Sequence, residues 1–141
     1  MMQGLFLEDL SVGQSAELTR TVDEAAIVQF ADVTGDNNPV HLDEAYAAGT
    51  PFKTRIAHGM LSAGYISAVI GTRLPGPGAI YMSQQLSFRR PVKIGDQVTA
   101  RATITAIDAD KARVTIETVC EVGGKAVLTG EALIMVPRKN G

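Results

Sequence analysis

The spacing of apolar residues changes near residue 75, from a helical period before it to an alternating period after it. Residues 14–21 alternate in the way typical of a short strand. Thr21 and Glu24 then have the spacing of a capping box at a helix start, and Gly35 is placed to end that helix. Residues 43–48 predict one or two further helical turns. The first half therefore predicts a strand followed by short helices.

Residues 56–70 are apolar around the whole helical wheel, with Gly71 placed as the terminator. A helix without a polar face has to be surrounded by other parts of the protein. Gly64 and the alanines of this segment would allow a sheet to approach closely. The segment thus predicts a buried central helix.

After residue 75 four alternating segments are separated by short turns, over residues 80–88, 98–106, 114–120 and 126–136. Short connections predict that consecutive strands are antiparallel neighbours. The order of elements indicates the α+β class, with a curved antiparallel sheet wrapped around the central helix.

Composition narrows the function classes. A chain of 141 residues predicts a single domain over residues 1–141, and its 45% hydrophobic and 20% charged residues exclude a disordered chain. The net charge of −2 provides no electrostatic footprint for nucleic acid or an anionic membrane surface. The longest apolar stretch is interrupted and too short to span a bilayer. We therefore expect neither a nucleic acid nor a membrane partner.

Cys120 is the single cysteine, so an intramolecular disulfide and a cysteine-based zinc site are both excluded. A lone cysteine fits a reducing compartment. Residues 1–11 contain Glu8 and Asp9 and lack the basic start of a signal peptide. These features predict a cytoplasmic protein.

The densest group of reactive side chains lies in residues 35–41. Asp36 and His41 are five positions apart, with Pro39 stiffening the turn between them. A carboxylate and an imidazole are the usual groups for proton transfer near neutral pH. Asp, Asn and Pro also favour ordinary turns, so the residues alone favour a plain turn after the helix over a catalytic site.

Residues 30–41, Phe-Ala-Asp-Val-Thr-Gly-Asp-Asn-Asn-Pro-Val-His, followed by Ala47, resemble the hydratase 2 signature of MaoC-like (R)-specific enoyl-CoA hydratases. Residues 56–61, Ile-Ala-His-Gly-Met-Leu, resemble the second hallmark of that family, and residues 87–96 resemble its block after the central helix. The resemblance implies the hot-dog fold. It also implies hydration of a trans-2-enoyl-CoA to the (R)-3-hydroxyacyl-CoA and the reverse dehydration. No metal or redox cofactor is expected, since that reaction needs neither.

The resemblance also implies site residues. Asp36 and His41 would be the catalytic pair, and Asn38 would shape the substrate loop. Gly59 would donate its backbone N–H to the thioester carbonyl, at a helix start where unpaired N–H groups favour negative charge. Ser67 aligns with a serine that supports the site in this family.

Two further groups are open to more than one interpretation. His58 could cap the helix, contact substrate or pack, and a structural role is favoured over direct catalysis because His41 has the carboxylate partner. Arg89, Arg90 and Lys93 form the one compact basic cluster. They could contact the CoA phosphates or form a solvated strand edge.

The resemblance leaves related activities open: a (3R)-hydroxyacyl-ACP dehydratase, or a hydratase of branched or carboxylated enoyl-CoA. A hot-dog thioesterase and a non-catalytic acyl-thioester-binding subunit are disfavoured by the intact spacing of Asp36 and His41. One sheet on one helix leaves an edge uncovered, and the resemblance implies side-by-side pairing. We therefore expect a homodimer with an acyl tunnel near its interface.

Overall fold

The computed structural model describes residues 3–140 and confirms the α+β class. A 3-10 turn at Leu7–Asp9 precedes the main elements. These are β1 (Ser15–Thr21), α1 (Glu24–Thr34), α2 (Pro39–Leu42), α3 (Glu44–Ala48), α4 (Gly59–Thr72), β2 (Ile80–Phe88), β3 (Gln97–Asp108), β4 (Arg113–Val122) and β5 (Lys125–Met135). Among the helices of residues 3–140, none combines the length and apolarity needed to cross a membrane.

The five strands form one antiparallel sheet in the order β1-β3-β4-β5-β2. Strands β3, β4 and β5 are sequential neighbours, as their short connections predicted. The same expectation is wrong for β2, which pairs with β5 instead of β3. Residues 89–96 carry the chain from β2 across to β3 at the far side of the sheet, where β3 pairs with β1. The two edges of the sheet are therefore β1 and β2.

The inner face of β3 follows the predicted alternation through Val98, Ala100, Ala102 and Ile104, all fully buried. Ala106 was expected on the same face and is exposed. The register between β3 and β4 shifts between Ile104 and Ala106, and such a bulge reverses the inside–outside phase.

Helix α4 begins at Gly59, three residues later than the pattern predicted. The preceding residues are extended because Ile56 bridges Lys93 and the Ala57 N–H donates to the Val92 carbonyl at 2.7 Å. The helix also runs one residue past Gly71, its predicted terminator. It packs on the sheet through Ile66, Val69 and Ile70, which are at most 1% exposed.

One stripe of α4 is left uncovered by the chain that the structure describes. Met60 is 55% exposed, and Gly64, Ser67 and Gly71 follow it on the same side of the helix. The expectation that α4 is covered on every side is therefore wrong for a single chain. The sheet covers one side of the helix, and the opposite stripe borders a cavity.

The start of α1 differs from the predicted capping box. Thr21 is the last residue of β1, and Asp23 caps the helix by accepting a hydrogen bond from the Ala26 N–H at 2.9 Å. An aspartate at this position satisfies one of the free N–H groups of the first turn. The predicted terminator is confirmed, since Gly35 has a left-handed φ of 82° and ends α1.

Candidate active site

The loop after α1 is built by local hydrogen bonds that fix its two reactive residues. The Asn38 side chain caps α2 by accepting from the Val40 N–H at 3.1 Å, and Pro39 fills the first helical position. The Asp36 carboxylate accepts from the Asn38 N–H at 3.3 Å. The loop is therefore an ordinary turn, held by Asp and Asn side-chain hydrogen bonds and by Pro39. The same contacts place the side chains of Asp36 and His41 close together.

His41 lies in α2 and is 8% exposed. Its Nδ1 lies 2.7 Å from the Ile56 carbonyl oxygen, which can only accept, so Nδ1 carries the proton and Nε2 is the free base. Burial lowers the pKa of His41 below 6.5, and the neighbouring His58 lowers it further. The Ile56 hydrogen bond and the Asp36 carboxylate oppose that shift in pKa. The ring is therefore neutral at physiological pH.

His58 is 2% exposed and precedes the first residue of α4. Its Nε2 donates to the main-chain carbonyl of Asp36 at 2.8 Å. Its ring lies between Phe30 and His41, with centroid distances of 4.7 Å and 3.9 Å. Within residues 3–140, its Nδ1 is buried without a hydrogen-bond partner. These contacts support the structural interpretation of His58, because it holds the Asp36 loop against the helix start.

Asp36, His41 and His58 each bring one carboxylate oxygen or ring nitrogen to within 4.8 Å of the others. Such a cluster can hold a water molecule between a carboxylate and an imidazole base. Zinc would require nitrogen ligands at about 2.0–2.1 Å. One nitrogen of each ring donates to a main-chain carbonyl, which leaves the other nitrogen free to face a water or an ion. The absence of a metal stays a prediction.

Two cavities border the first turns of α4. The smaller, of about 350 Å³, contains His41 and Gly59, and the larger, of about 670 Å³, contains Asp36 and Ser67. The remaining lining of the smaller cavity is Phe52, Ile56, Ala57, Ser62, Phe88, Arg89, Arg90, Pro91, Val92, Val127 and Leu128. That of the larger cavity is Phe30, Thr34, Met60, Ala63, Gly64, Tyr81, Gln84 and Leu86.

Gly59 opens α4 and contacts the ring of Phe88. A β-carbon at position 59 would lie 2.5 Å from Cε1 and 2.7 Å from Cδ1 of that ring. The first N–H groups of a helix have no acceptor within the helix. Glycine here therefore lets the Phe88 ring lie against the first residue of α4, which lines the smaller cavity.

The predicted site residues are not all brought together. Arg89 and Arg90 line the smaller cavity, whereas Lys93 is exposed and lies outside the lining of both cavities in the described chain. Asn38 also lies outside both linings, and its side chain is engaged in capping α2. The capping bond supports the loop-shaping role predicted for Asn38.

Sequence reasoning missed several lining residues. Ser62 is 3% exposed and lines the smaller cavity. Its signal in the sequence is that it is a polar residue within an otherwise apolar helix. Phe88 and Phe52 carried no such signal, because an aromatic residue in an apolar pattern indicates core as readily as cavity.

The larger cavity has a hydrogen-bonded polar wall. The Tyr81 hydroxyl donates to the Gln84 side-chain oxygen, and the Gln84 amide donates to Oγ1 of the buried Thr118 at 3.0 Å. Burial raises the pKa of Tyr81 to about 12, so its hydroxyl remains protonated. The wall therefore offers polar groups without a charge.

Comparison with known proteins agrees with this geometry. Residues 9–126 match the family model described as MaoC like domain. The chain is 57% identical over 134 residues to the (R)-specific enoyl-CoA hydratase of Rhodospirillum rubrum, covering 95% of this chain and 93% of that protein. It is 51% identical over 135 residues to the 3-hydroxybutyryl-CoA dehydratase of Methylorubrum extorquens, covering 96% and 86%.

The fold agrees as well. The solved structure of the unliganded R-hydratase PhaJ1 from Pseudomonas aeruginosa superimposes with a TM-score of 0.91 at 50% identity, covering 96% of this chain and 88% of that one. The curved sheet around α4 is the hot-dog fold that the resemblance implied. With sequence and fold matched over most of their length, the chain belongs to the MaoC-like domain family.

Proposed function

We propose that this protein is an (R)-specific enoyl-CoA hydratase, which adds water to a trans-2-enoyl-CoA and catalyses the reverse dehydration. The observation that carries the proposal is the approach of the Asp36 carboxylate to a neutral His41, within 4.8 Å, beside the N-terminus of α4. The names of the Rhodospirillum and Methylorubrum relatives support the same reaction class.

The thioester carbonyl accepts a hydrogen bond from the Gly59 N–H. Attack at C3 builds enolate-like negative charge on the carbonyl oxygen, and a preorganised donor stabilises that charge most where water is excluded. The positive end of the α4 dipole adds to this effect. Gly59 thereby polarises the substrate without contributing a side chain.

Asp36 and His41 hold the attacking water between carboxylate and Nε2. The water oxygen forms a bond to C3 as its proton passes to the base, and the π electrons move onto the thioester as an enolate. A proton then returns to C2, so that H and OH have been added across the double bond. The lowered pKa of His41 keeps Nε2 unprotonated and ready to accept.

The basic residues suit the polar end of the substrate. Arg89 and Arg90 line the same cavity as His41 and Gly59, which supports contact with the CoA phosphates. Lys93 would act only at longer range, from outside that cavity. The acyl chain would extend toward the larger cavity, where Ser67 supports the site.

We also propose that the protein functions as a homodimer that pairs along β2. This edge strand exposes Ile80 by 57%, Met82 by 40% and Phe88 by 56%, beside the 55% exposed Met60. An apolar edge of this kind is a template for pairing with another chain. Analytical ultracentrifugation should give a dimer, and Met82→Lys should shift it toward monomer. A monomeric parent protein at micromolar concentration would contradict the proposal.

The expected location remains the cytoplasm, with neither nucleic acid nor membrane as a partner. The fully buried Cys120 thiol supports a reducing compartment, and burial raises its pKa to about 12. The net charge of −2 supports the absence of a polyanionic partner.

The direct test is incubation with crotonyl-CoA. The enoyl absorbance should fall without release of free thiol, and the product should be oxidised by an (R)-specific and not an (S)-specific 3-hydroxyacyl-CoA dehydrogenase. Asp36→Asn and His41→Ala should each slow hydration by at least about 10²-fold, the scale of lost acid–base catalysis. Asp32→Asn, on exposed helix surface nearby, is the matched control. Near-parent rates in both site variants would contradict the proposal.

The same assay separates the remaining alternatives. Rapid thiol release would indicate a thioesterase, and binding without turnover would indicate an acyl-thioester-binding subunit. A strong preference for crotonyl-ACP over crotonyl-CoA would indicate a carrier-protein dehydratase. A series of straight, branched and carboxylated enoyl-CoA substrates identifies the acyl class.

A further inference from the structure

Arg55 lies next to the active site without lining either cavity in the described chain. Its side chain is 12% exposed and contacts two elements at once. Nε donates to the main-chain carbonyl of His41 at 2.7 Å. The two terminal nitrogens bind the Glu24 carboxylate at 2.7 Å and 3.1 Å. One guanidinium thereby joins the first turn of α1 to α2.

The His41 carbonyl needs such a partner because α2 is a helix of only four residues. The last carbonyls of a helix have no partner within it, and arginine is a common donor at that end. The planar guanidinium can bond the carbonyl and the Glu24 carboxylate together, which a lysine ammonium cannot do in the same rigid geometry.

The residue after Arg55 holds the same helix. The Ile56 N–H donates to the Val40 carbonyl at 3.3 Å, and the Ile56 carbonyl accepts from His41 Nδ1 at 2.7 Å. Residues 55 and 56 thus contact His41 through both its main chain and its ring. Any shift of this short segment would move the imidazole.

Glu44 anchors the segment from α3. Its carboxylate accepts from the Thr54 hydroxyl at 2.7 Å and from the Arg55 N–H at 3.4 Å. The segment is therefore fixed by α3 on one side and, through the Arg55–Glu24 pair, by α1 on the other. Asp36 comes two residues after the end of α1. The contacts that fix α1 against residues 55 and 56 therefore also set the position of Asp36 relative to His41.

We infer that Arg55 is a positioning residue for His41, and that Glu24 holds the Arg55 side chain in place. Arg55 fixes α2 so that Nε2 of His41 meets the water bound by Asp36. This role rests on the proposed hydratase function. A catalytic geometry held to a fraction of an ångström is sensitive to residues that never touch the substrate.

The charged and titratable groups around His41 determine what loss of Arg55 does to that ring. Asp36 and His58 face it directly, and Arg89 and Arg90 line the same cavity. Replacing Arg55 by glutamine leaves the Glu24 carboxylate without its cation and admits water beside α2, which lessens the burial of His41. Both changes favour the protonated imidazole, so the pKa of His41 should rise in the variant.

The test compares Arg55→Gln, Arg55→Lys and Glu24→Ala with the full-length parent. Arg55→Gln should lower kcat for crotonyl-CoA by roughly 10- to 100-fold with KM within about twofold, since misplacement affects the reacting geometry and not the binding surface. Glu24→Ala should lower kcat less, because Arg55 can still reach the carbonyl. Arg55→Lys should recover only part of the rate.

Arg101→Gln is the matched control. Arg101 also pairs with two carboxylates, Glu17 and Glu121, but on the outer face of the sheet. This variant loses an arginine and its ion pairs while leaving α2 unchanged. It should retain the kcat of the parent.

A second measurement does not depend on activity. The chain contains two histidines, His41 and His58, so NMR titration of an untagged protein resolves both rings. The pKa of His41 should rise in Arg55→Gln and stay at the parent value in Arg101→Gln. If the parent fails to hydrate crotonyl-CoA, the proposed function falls while this titration still tests the positioning role.

The inference is overturned if Arg55→Gln keeps kcat within twofold of the parent and leaves the pKa of His41 unchanged. If Arg55→Gln does not fold, Glu24→Ala decides, because it keeps the arginine and removes only its anchor. A parent-like kcat and parent-like pKa of His41 in folded Glu24→Ala would then overturn it.

Discussion

The imidazole rings of His41 and His58 lie against each other, with their centroids 3.9 Å apart and their planes inclined by 32°. Each ring donates one N–H to a main-chain carbonyl, His41 to Ile56 and His58 to Asp36. Both are nearly buried. Burial opposes protonation of the His41 ring, and the neighbouring His58 ring opposes it further. The arrangement therefore favours a neutral His41.

The rate of hydration should depend on the protonation of His41. Its pKa lies below 6.5, mainly because of burial. We expect kcat/KM to be constant near neutral pH and to fall as the pH drops below 6.5 and passes through the lowered pKa. A pH–rate profile with crotonyl-CoA measures this. An acidic limb centred above 6.5 would show that His41 is not the neutral base.

The same shift in pKa affects stability. In the unfolded chain His41 titrates near 6.5, and in the folded protein it titrates lower, so the unfolded state binds more protons between the two values. The free energy of unfolding should therefore be unaffected by this group above pH 6.5 and should decrease as the pH falls through that window. Urea unfolding of the parent and of His41→Gln across pH 5 to 8 isolates the contribution. An identical pH dependence in both proteins would contradict it.

Loss of His58 should affect both stability and rate. His58→Ala removes the donor to the Asp36 carbonyl, and a hydrogen bond of this kind contributes about 0.5–1.5 kcal/mol. The Asp36 loop should loosen and kcat should fall. His58→Gln keeps an N–H donor of similar reach and should recover part of both losses. Urea unfolding and crotonyl-CoA kinetics measure them, and equal behaviour of the two variants would argue against the hydrogen bond.

A side chain at position 59 should impair turnover while the fold survives. In Gly59→Ala the new methyl group would lie 2.5 Å from the Phe88 ring, which is at the end of β2 and outside the hydrophobic core, so it can be displaced without opening the core. The methyl group and the displaced ring would both obstruct the path of the thioester to the backbone donor. Gly71→Ala, in the same helix with open space around it, is the control.

Gly71→Ala should raise the free energy of unfolding by up to about 1 kcal/mol, through helix propensity, with parent-like kcat. Crotonyl-CoA kinetics and circular dichroism compare the two variants. Unchanged kinetics in folded Gly59→Ala would refute the carbonyl-binding role.

Gly130→Ala should strongly destabilise the pairing of β2 with β5. A β-carbon at this position would lie 2.0 Å from the Gln85 main-chain oxygen on the neighbouring strand, so backbone has to move. We expect a loss of at least about 2 kcal/mol in urea unfolding, the scale of overpacking a tight site. A decrease in the free energy of unfolding below about 0.5 kcal/mol would contradict this prediction, because it would mean that β2 and β5 can move apart at Gly130 without losing stability.

Local signals along the chain determined the elements and the reactive loop. Each of these features depends on residues close together in the chain, so the sequence alone indicated it. They are the left-handed Gly35, the turn over residues 36–39 and the apolar segment of α4. The signature over residues 30–41 pointed to the family, which the comparisons show. Even the wrong capping residue of α1 lay two positions from Asp23, the actual cap.

Only the tertiary structure decided which distant surfaces meet. The pairing of β2 with β5, the reversed phase of Ala106 and the open stripe on α4 follow from how the whole sheet curves around one helix. No local pattern encodes that geometry. The hydrogen bond from Arg55 to the His41 carbonyl was also beyond sequence-based prediction. Every residue has a main-chain carbonyl, so only the fold shows which of them the arginine reaches.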